Sequence, residues 1–193
     1  MKKNLNIAQI GNPILRKKTE DLAISDIKSD SIQTFITKMI NTMHEANGAG
    51  LAANQIFKSI SICVIEVINN SRYAHIENIP LKVLINPKIK VLDTKNTFNS
   101  YEGCLSVPNL RGKVKRFNHI EVEYLDRFGT AKKELVKGLS SIVYQHEIDH
   151  LNGYLFTDKV YDNSSLVTYE NYIKYYQDKY QEELLQFINY NSK

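Results

Sequence analysis

His146 and His150 stand four positions apart in Gln145-His146-Glu147-Ile148-Asp149-His150-Leu151-Asn152-Gly153. On a helix that spacing stacks two imidazoles on one face, with Glu147 beside the first. Two such ligands and an adjacent carboxylate are parts of a hydrolytic metal centre, in which histidines hold the ion and the glutamate moves a proton. Two ligands do not complete a centre. A third must come from elsewhere in the chain, and its identity decides the class of enzyme.

The elements that must position these residues can be read from periodicity. Leu139, Ile142, Val143, His146 and His150 share a helical period after Gly138, so the histidines extend an inward-facing apolar stripe. Ile32, Phe35, Ile36, Met39, Ile40 and Met43 predict an amphipathic helix over 30–46. The β-branched run over 59–67 predicts a buried strand, and 82–93 a pair of short strands broken at Asn86-Pro87. Residues 119–124 alternate like a half-buried strand, and Asp126-Arg127-Phe128-Gly129 turns into a return strand over 132–137. A long tyrosine-rich amphipathic helix is expected over 164–188, docked on the domain. The segment 69–80 is polar and reads as a loop, with His75 a surface histidine; His119 is expected on a strand surface and His44 solvated or capping. The basic cluster from Lys113 to Arg116 is expected to be a solvated edge.

The chain has 193 residues, 42% of them hydrophobic, enough for one domain over 1–193 with a sizeable core. Its 25 basic and 21 acidic residues give a net charge of +4, too small and too dispersed for a dedicated nucleic-acid binder. No run reaches the apolar length needed to span a bilayer, and the expectation is a soluble cytoplasmic protein. In that compartment Cys63, within an apolar run, reads as a buried thiol, and Cys104, between Gly103 and Leu105, as a metal thiolate. Gly48-Ala49-Gly50-Leu51-Ala52-Ala53-Asn54-Gln55 matches neither a phosphate loop nor a dinucleotide fingerprint. Its small residues either make a tight helix-to-strand connection or let the backbone approach a ligand.

Three candidates exist for the third ligand. The long metalloprotease pattern needs a histidine where Phe156 stands, which excludes that class. A zinc endopeptidase could take Glu170 from a following helix, but Lys174 occupies the position where an aspartate usually follows. Cys104 is the third. Residues 48–55, 102–106 and 145–150 together resemble the three signature motifs of peptide deformylases, in order and in separation. The likeness extends to the turn at 11–16, to Arg111-Gly112-x-Val114-x-Arg116, and to Leu151-x-Gly153-x-Leu155-Phe156-x-Asp158. Asn54 departs from the family, which more often has threonine or proline there, with little consequence expected.

The resemblance implies an α+β fold, with antiparallel strands around the central histidine-bearing helix, an N-terminal helix and a long C-terminal helix. It implies that Cys104, His146 and His150 bind one divalent metal, Fe2+ by family habit, with Zn2+, Ni2+ or Co2+ able to take the same ligands. Glu147 would be the general base, and the Gln55 side-chain amide with the Leu105 backbone N–H would steady charge on the formyl oxygen. The substrate would be a nascent peptide carrying N-formylmethionine, met by backbone groups of Ala49, Gly50 and Gly103 and by Arg111. Its methionine side chain would enter a pocket walled by Leu139, Ile142 and Val143. Asp149, polar on a buried helix, needs a partner and is expected to find it in Arg116, supporting the ligands from behind. Ribosome association through the final helix is left unassigned, because Glu170, Asp178, Glu182 and Glu183 make it less basic than ribosomal RNA favours. A catalytically inactive metal- or peptide-binding relative is the non-enzyme alternative; the presence of Glu147 and Gln55 speaks against it.

Overall fold

The computed structural model describes residues 5–68 and 78–191. A 3-10 turn (Pro13–Arg16) and the one-turn helix α1 (Ile24–Ile27) lead to α2 (Asp30–Glu45). The strand β1 (Gly50–Ala52) passes into a 3-10 turn (Ala53–Ile56) and on to β2 (Ile62–Val67), β3 (Ile79–Val91), β4 (Thr97–Cys104), β5 (Val107–Phe117), β6 (His119–Leu125) and β7 (Ala131–Lys137). Helix α3 (Ser140–Leu151) carries both histidines of the motif. Two 3-10 turns then lead to β8 (Val167–Thr168), α4 (Tyr169–Tyr175) and α5 (Gln177–Asn191). The fold is α+β, with a five-stranded antiparallel sheet ordered β1-β2-β3-β6-β7 and a three-stranded one ordered β4-β5-β8.

Side-chain alternation on β2 shows why its sequence is apolar throughout. Cys63 and Ile65 face α3, packing with Val143, Ile148 and Leu151. Ile62 and Val64 face α2, packing with Ile36, Met39 and Met43. A strand covered on both faces needs hydrophobic residues at both parities, whereas a half-exposed strand alternates. Helix α3 is therefore enclosed between the large sheet and the small one, and nine of its twelve residues are buried.

Several sequence expectations change. Residues 82–93 do not form two strands: β3 runs unbroken, with a register shift between Ile85 and Lys88. Asn86 takes φ +51° at that bulge, and its side chain exchanges hydrogen bonds of 2.8 and 2.9 Å with the backbone of Leu22. The bulge accommodates Pro87, which has no N–H to give the ladder. The expected helix over 164–188 is interrupted. Asp162 and Thr168 cap a 3-10 turn and α4 respectively, and β-branched Val167 and Thr168 pair with Arg111 and Leu110 of β5. The helix therefore starts only at Tyr169, and it breaks again at Tyr176, between α4 and α5; apolar spacing of three and four is blind to both. The basic stretch is only in part a solvated edge: Lys115 is exposed and Lys113 half-buried, but Arg116 is buried. His119 is half-buried with its Nε2 enclosed, not a surface residue. His44 pairs with Glu66 on the surface. His75 and most of the expected 69–80 loop lie outside the described residues, and residues 79 and 80 already belong to β3.

Candidate active site

Gln145 fixes α3 in place. Its side-chain oxygen accepts from the backbone N–H of Phe117 at 3.1 Å, and its nitrogen donates to the same residue's carbonyl at 2.8 Å. One turn further on, the rings of His146 and His150 stand 5.0 Å apart and nearly perpendicular. Cys104 arrives from β4, where alternation turns Ser100, Glu102 and Cys104 inward together. Its Sγ lies 3.2 Å from His150 Nε2. The three ligand atoms of Cys104, His146 and His150 lie within 4.8 Å of one another, and no other cluster of this kind occurs among the described residues. Glu170 is exposed in the first turn of α4 and is not part of the cluster.

The charges fit a cation. Burial alone would raise the Cys104 thiol, but His150 beside it and hydrogen bonds to both imidazoles bring it well below its ordinary value. Burial opposes a charge on His146 too, and Cys104 with Glu102 overcomes it, holding the imidazole well above its ordinary value. A buried thiolate facing two imidazoles is satisfied either by a proton on His146 or by a metal ion that displaces that proton. Burial pushes Glu147 up to about 7, and its Oε2 is enclosed without a hydrogen-bond partner. The cluster thus offers ligands for a divalent metal and an unengaged carboxylate next to them.

Glu102 was not singled out by the sequence, although period-two alternation from Cys104 places it on the same face. Its Oε2 lies 2.8 Å from His146 Nδ1. Arg116 grips the same carboxylate through Nε at 2.6 Å and Nη2 at 2.9 Å, and reaches Asp149 with Nη1 at 2.5 Å. Burial would raise the Glu102 carboxyl, but Arg116 and His146 bring it down to about 2. A charged Glu102 accepts the Nδ1 proton of His146, which fixes the ring and leaves Nε2 to face a metal. Lys159 approaches the other oxygen of Asp149 at 3.0 Å.

The 3-10 turn after β1 sets Gln55. Its Oε1 accepts from the Ala52 N–H at 2.8 Å, so its amide nitrogen points to Ser106 Oγ at 3.0 Å and Cys104 Sγ at 3.5 Å. Ser106, also missed, is fully buried and donates its backbone N–H to the same sulfur at 3.3 Å. Asn54 donates to the His150 carbonyl at 2.5 Å, a tether from the turn to α3.

These parts open on a cavity of about 620 Å³. Ala49, Gly50, Gln55, Gly103, Cys104 and Leu105 line it, as do Arg111, Leu139, Ile142, Val143, His146 and Glu147. His150, Asp149 and Arg116 lie behind it. Both β1 and β4 are edge strands, and Gly50 and Gly103 bring the two edges to the same opening. A Cβ on Gly50 would fall 2.5 Å from the Glu147 carboxylate, and one on Gly103 would fall 2.0 Å from Arg111 Nη1. Glycine at these positions keeps the two side chains where they are.

Comparison with known proteins finds relatives along most of the chain. Peptide deformylase 2 of a Nostoc species is 40% identical over 168 residues, covering 87% of this chain and 92% of the relative. The Met-Ala-Ser-bound crystal structure of class I type b peptide deformylase from Acinetobacter baumannii superposes with a TM-score of 0.78 at 32% identity, covering 83% of this chain and 100% of that one. The peptide deformylase of Synechococcus elongatus in complex with actinonin gives 0.74 at 33% identity, covering 86% of this chain and 84% of that one. Residues 4–165 match the family model for polypeptide deformylase. With the Cys104, His146 and His150 cluster, the two sheets and these relatives in agreement, the chain belongs to the polypeptide deformylase family.

Proposed function

We propose that this chain, acting as a single catalytic domain over 1–193, removes the formyl group from the N-terminal N-formylmethionine of newly made polypeptides and releases formate. Cys104, His146 and His150 hold one divalent ion, with ferrous iron the physiological choice and zinc, nickel and cobalt able to use the same donors. Bound there, the ion supplies Lewis acidity, which lowers the pKa of a water and polarises the carbonyl of the formyl amide. The observation that carries this reading is the convergence of that cluster with an unengaged Glu147 carboxylate on one cavity.

Glu147, raised toward neutrality by its burial, takes a proton from the attacking water and returns it to the departing amine. Gln55, pre-aimed by its bond to Ala52, and the Leu105 N–H donate to the charge that grows on the formyl oxygen. The peptide lies as an extended strand between the β1 and β4 edges, meeting Ala49, Gly50 and Gly103, with Arg111 further along. Its methionine side chain enters between Leu139, Ile142 and Val143. Arg116 and Asp149 position the ligands through Glu102 and α3. No helix among the described residues is long and apolar enough to cross a membrane, and we assign the activity to the cytoplasm. We assign no ribosome contact, since Asp178, Glu182 and Glu183 lie on α5.

Formate release from formyl-Met-Ala-Ser by anaerobically purified protein tests the reading. Glu147→Gln should keep its metal and lose about 10²- to 10⁴-fold in rate. Cleavage of internal peptide bonds without formate release would overturn it.

A further inference from the structure

The cavity has a wall that neither α3 nor the sheet edges supply. Tyr169, Tyr172, Tyr180 and Leu184 line it from α4 and α5, and all lie beyond residue 165, where the match to the family model ends. Tyr180 and Leu184 are buried and share one apolar cluster with Leu139 and Ile142. They stand four apart on α5, so both project from the same helical face, the one that meets α3. Tyr180 is held from two sides. Its hydroxyl is 3.0 Å from Ser100 Oγ, and its ring meets Tyr101 edge-on at 5.4 Å between centroids. Ser100 faces inward two residues before Glu102, which anchors the wall to the strand that carries Cys104. Leu184 is apolar, packs in the same cluster as this anchored ring and Ile142, and lines the cavity with them.

We infer that α5 closes the pocket for the first side chain of the substrate, with Tyr180 as a fixed stop and Leu184 setting the width. The inference rests on the assignment of Leu139, Ile142 and Val143 to that pocket. It makes Leu184 a specificity residue that favours an unbranched apolar side chain over an aromatic one. Apolar pockets discriminate a single methylene by roughly ten- to two-hundredfold, so a change of several carbons at the wall is readable in kinetics.

The experiment compares formyl-Met-Ala-Ser, formyl-Phe-Ala-Ser and formyl-Ala-Ala-Ser on the full-length, metal-loaded chain. Leu184→Ala should raise the kcat/KM ratio of the phenylalanine to the methionine substrate by about tenfold, mainly through KM, with metal content unchanged. Leu184→Phe should lower kcat/KM for the methionine substrate by about tenfold and spare the alanine one. Leu185→Ala, at an exposed position on the same helix, should leave the ratios at the parent's values. If Leu184→Ala does not fold, Leu184→Met removes the branch at nearly constant volume and should shift the phenylalanine ratio in the same direction. Should Ile142→Ala alter the ratios while the folded Leu184 variants behave like Leu185→Ala, the role of α5 is wrong and the pocket assignment stands. Should Ile142→Ala and the Leu184 variants all leave them unchanged, the pocket assignment itself falls.

Discussion

Cys63 and Cys104 are both buried, both free, and both on strands, yet they sit in opposite chemical surroundings. Cys63 belongs to the large sheet, among Ile65, Leu84 and Val143, where burial pushes its thiol well above its ordinary value and the charge of Glu147 adds to the rise. Cys104 ends a strand of the small sheet, where two imidazoles and the Ser106 N–H surround its sulfur and its thiol falls well below. Burial therefore does not decide what a cysteine does; the polar groups buried with it do. The large sheet supplies a wall of apolar packing and the small sheet supplies a polar lattice centred on Glu102.

Breaking the polar side should have the largest effects. Cys104→Ala is expected to reduce bound metal from about one ion per chain to a small fraction of that and to abolish formate release, read by elemental analysis and a formate assay. Metal content equal to the parent's would remove Cys104 from the ligand set. Arg116→Met takes the guanidinium from Glu102 and Asp149, leaving them His146 and Lys159, and should cost about 3–5 kcal/mol in urea unfolding, part of it recovered when Glu102→Gln is added. Acid sharpens the same contrast. The folded-state Glu102 carboxyl titrates at about 2 against an ordinary 4.5, so its stabilisation is full above 4.5 and drains as pH falls through 2. Glu102→Gln should flatten that part of the acid-unfolding curve. The smallest effect belongs to the apolar side: Cys63→Ala should cost about 1 kcal/mol and leave metal content and turnover alone.

How much of this could be read from the sequence follows the same division. The ligand helix, α2, the β6–β7 hairpin and the buried run of β2 were legible, because each carries its own periodicity over several residues. The late start of the C-terminal helix was not, since it depends on Val167 and Thr168 finding the edge of β5, a contact with no local signature, and neither was its break at Tyr176. Arg116 was expected to meet Asp149, which it does, but its grip on Glu102 has no signature in the basic stretch around it. Glu102 itself was within reach: counting back two from Cys104 lands on it. The family resemblance located Gln55, but its orientation comes from a hydrogen bond to Ala52, which motif spacing does not encode.

The tether from Asn54 to the carbonyl of His150 joins two chemical duties that sit 96 residues apart in sequence. Asn54 immediately precedes Gln55, so a displacement of the turn drags the end of α3 with it. The turn that aims the amide of Gln55 and the end of the helix that carries His150 are thus set by one connection. Groups fixed in advance by such a connection have little reorganisation to undergo when charge moves, which is the condition under which fixed dipoles stabilise a transition state.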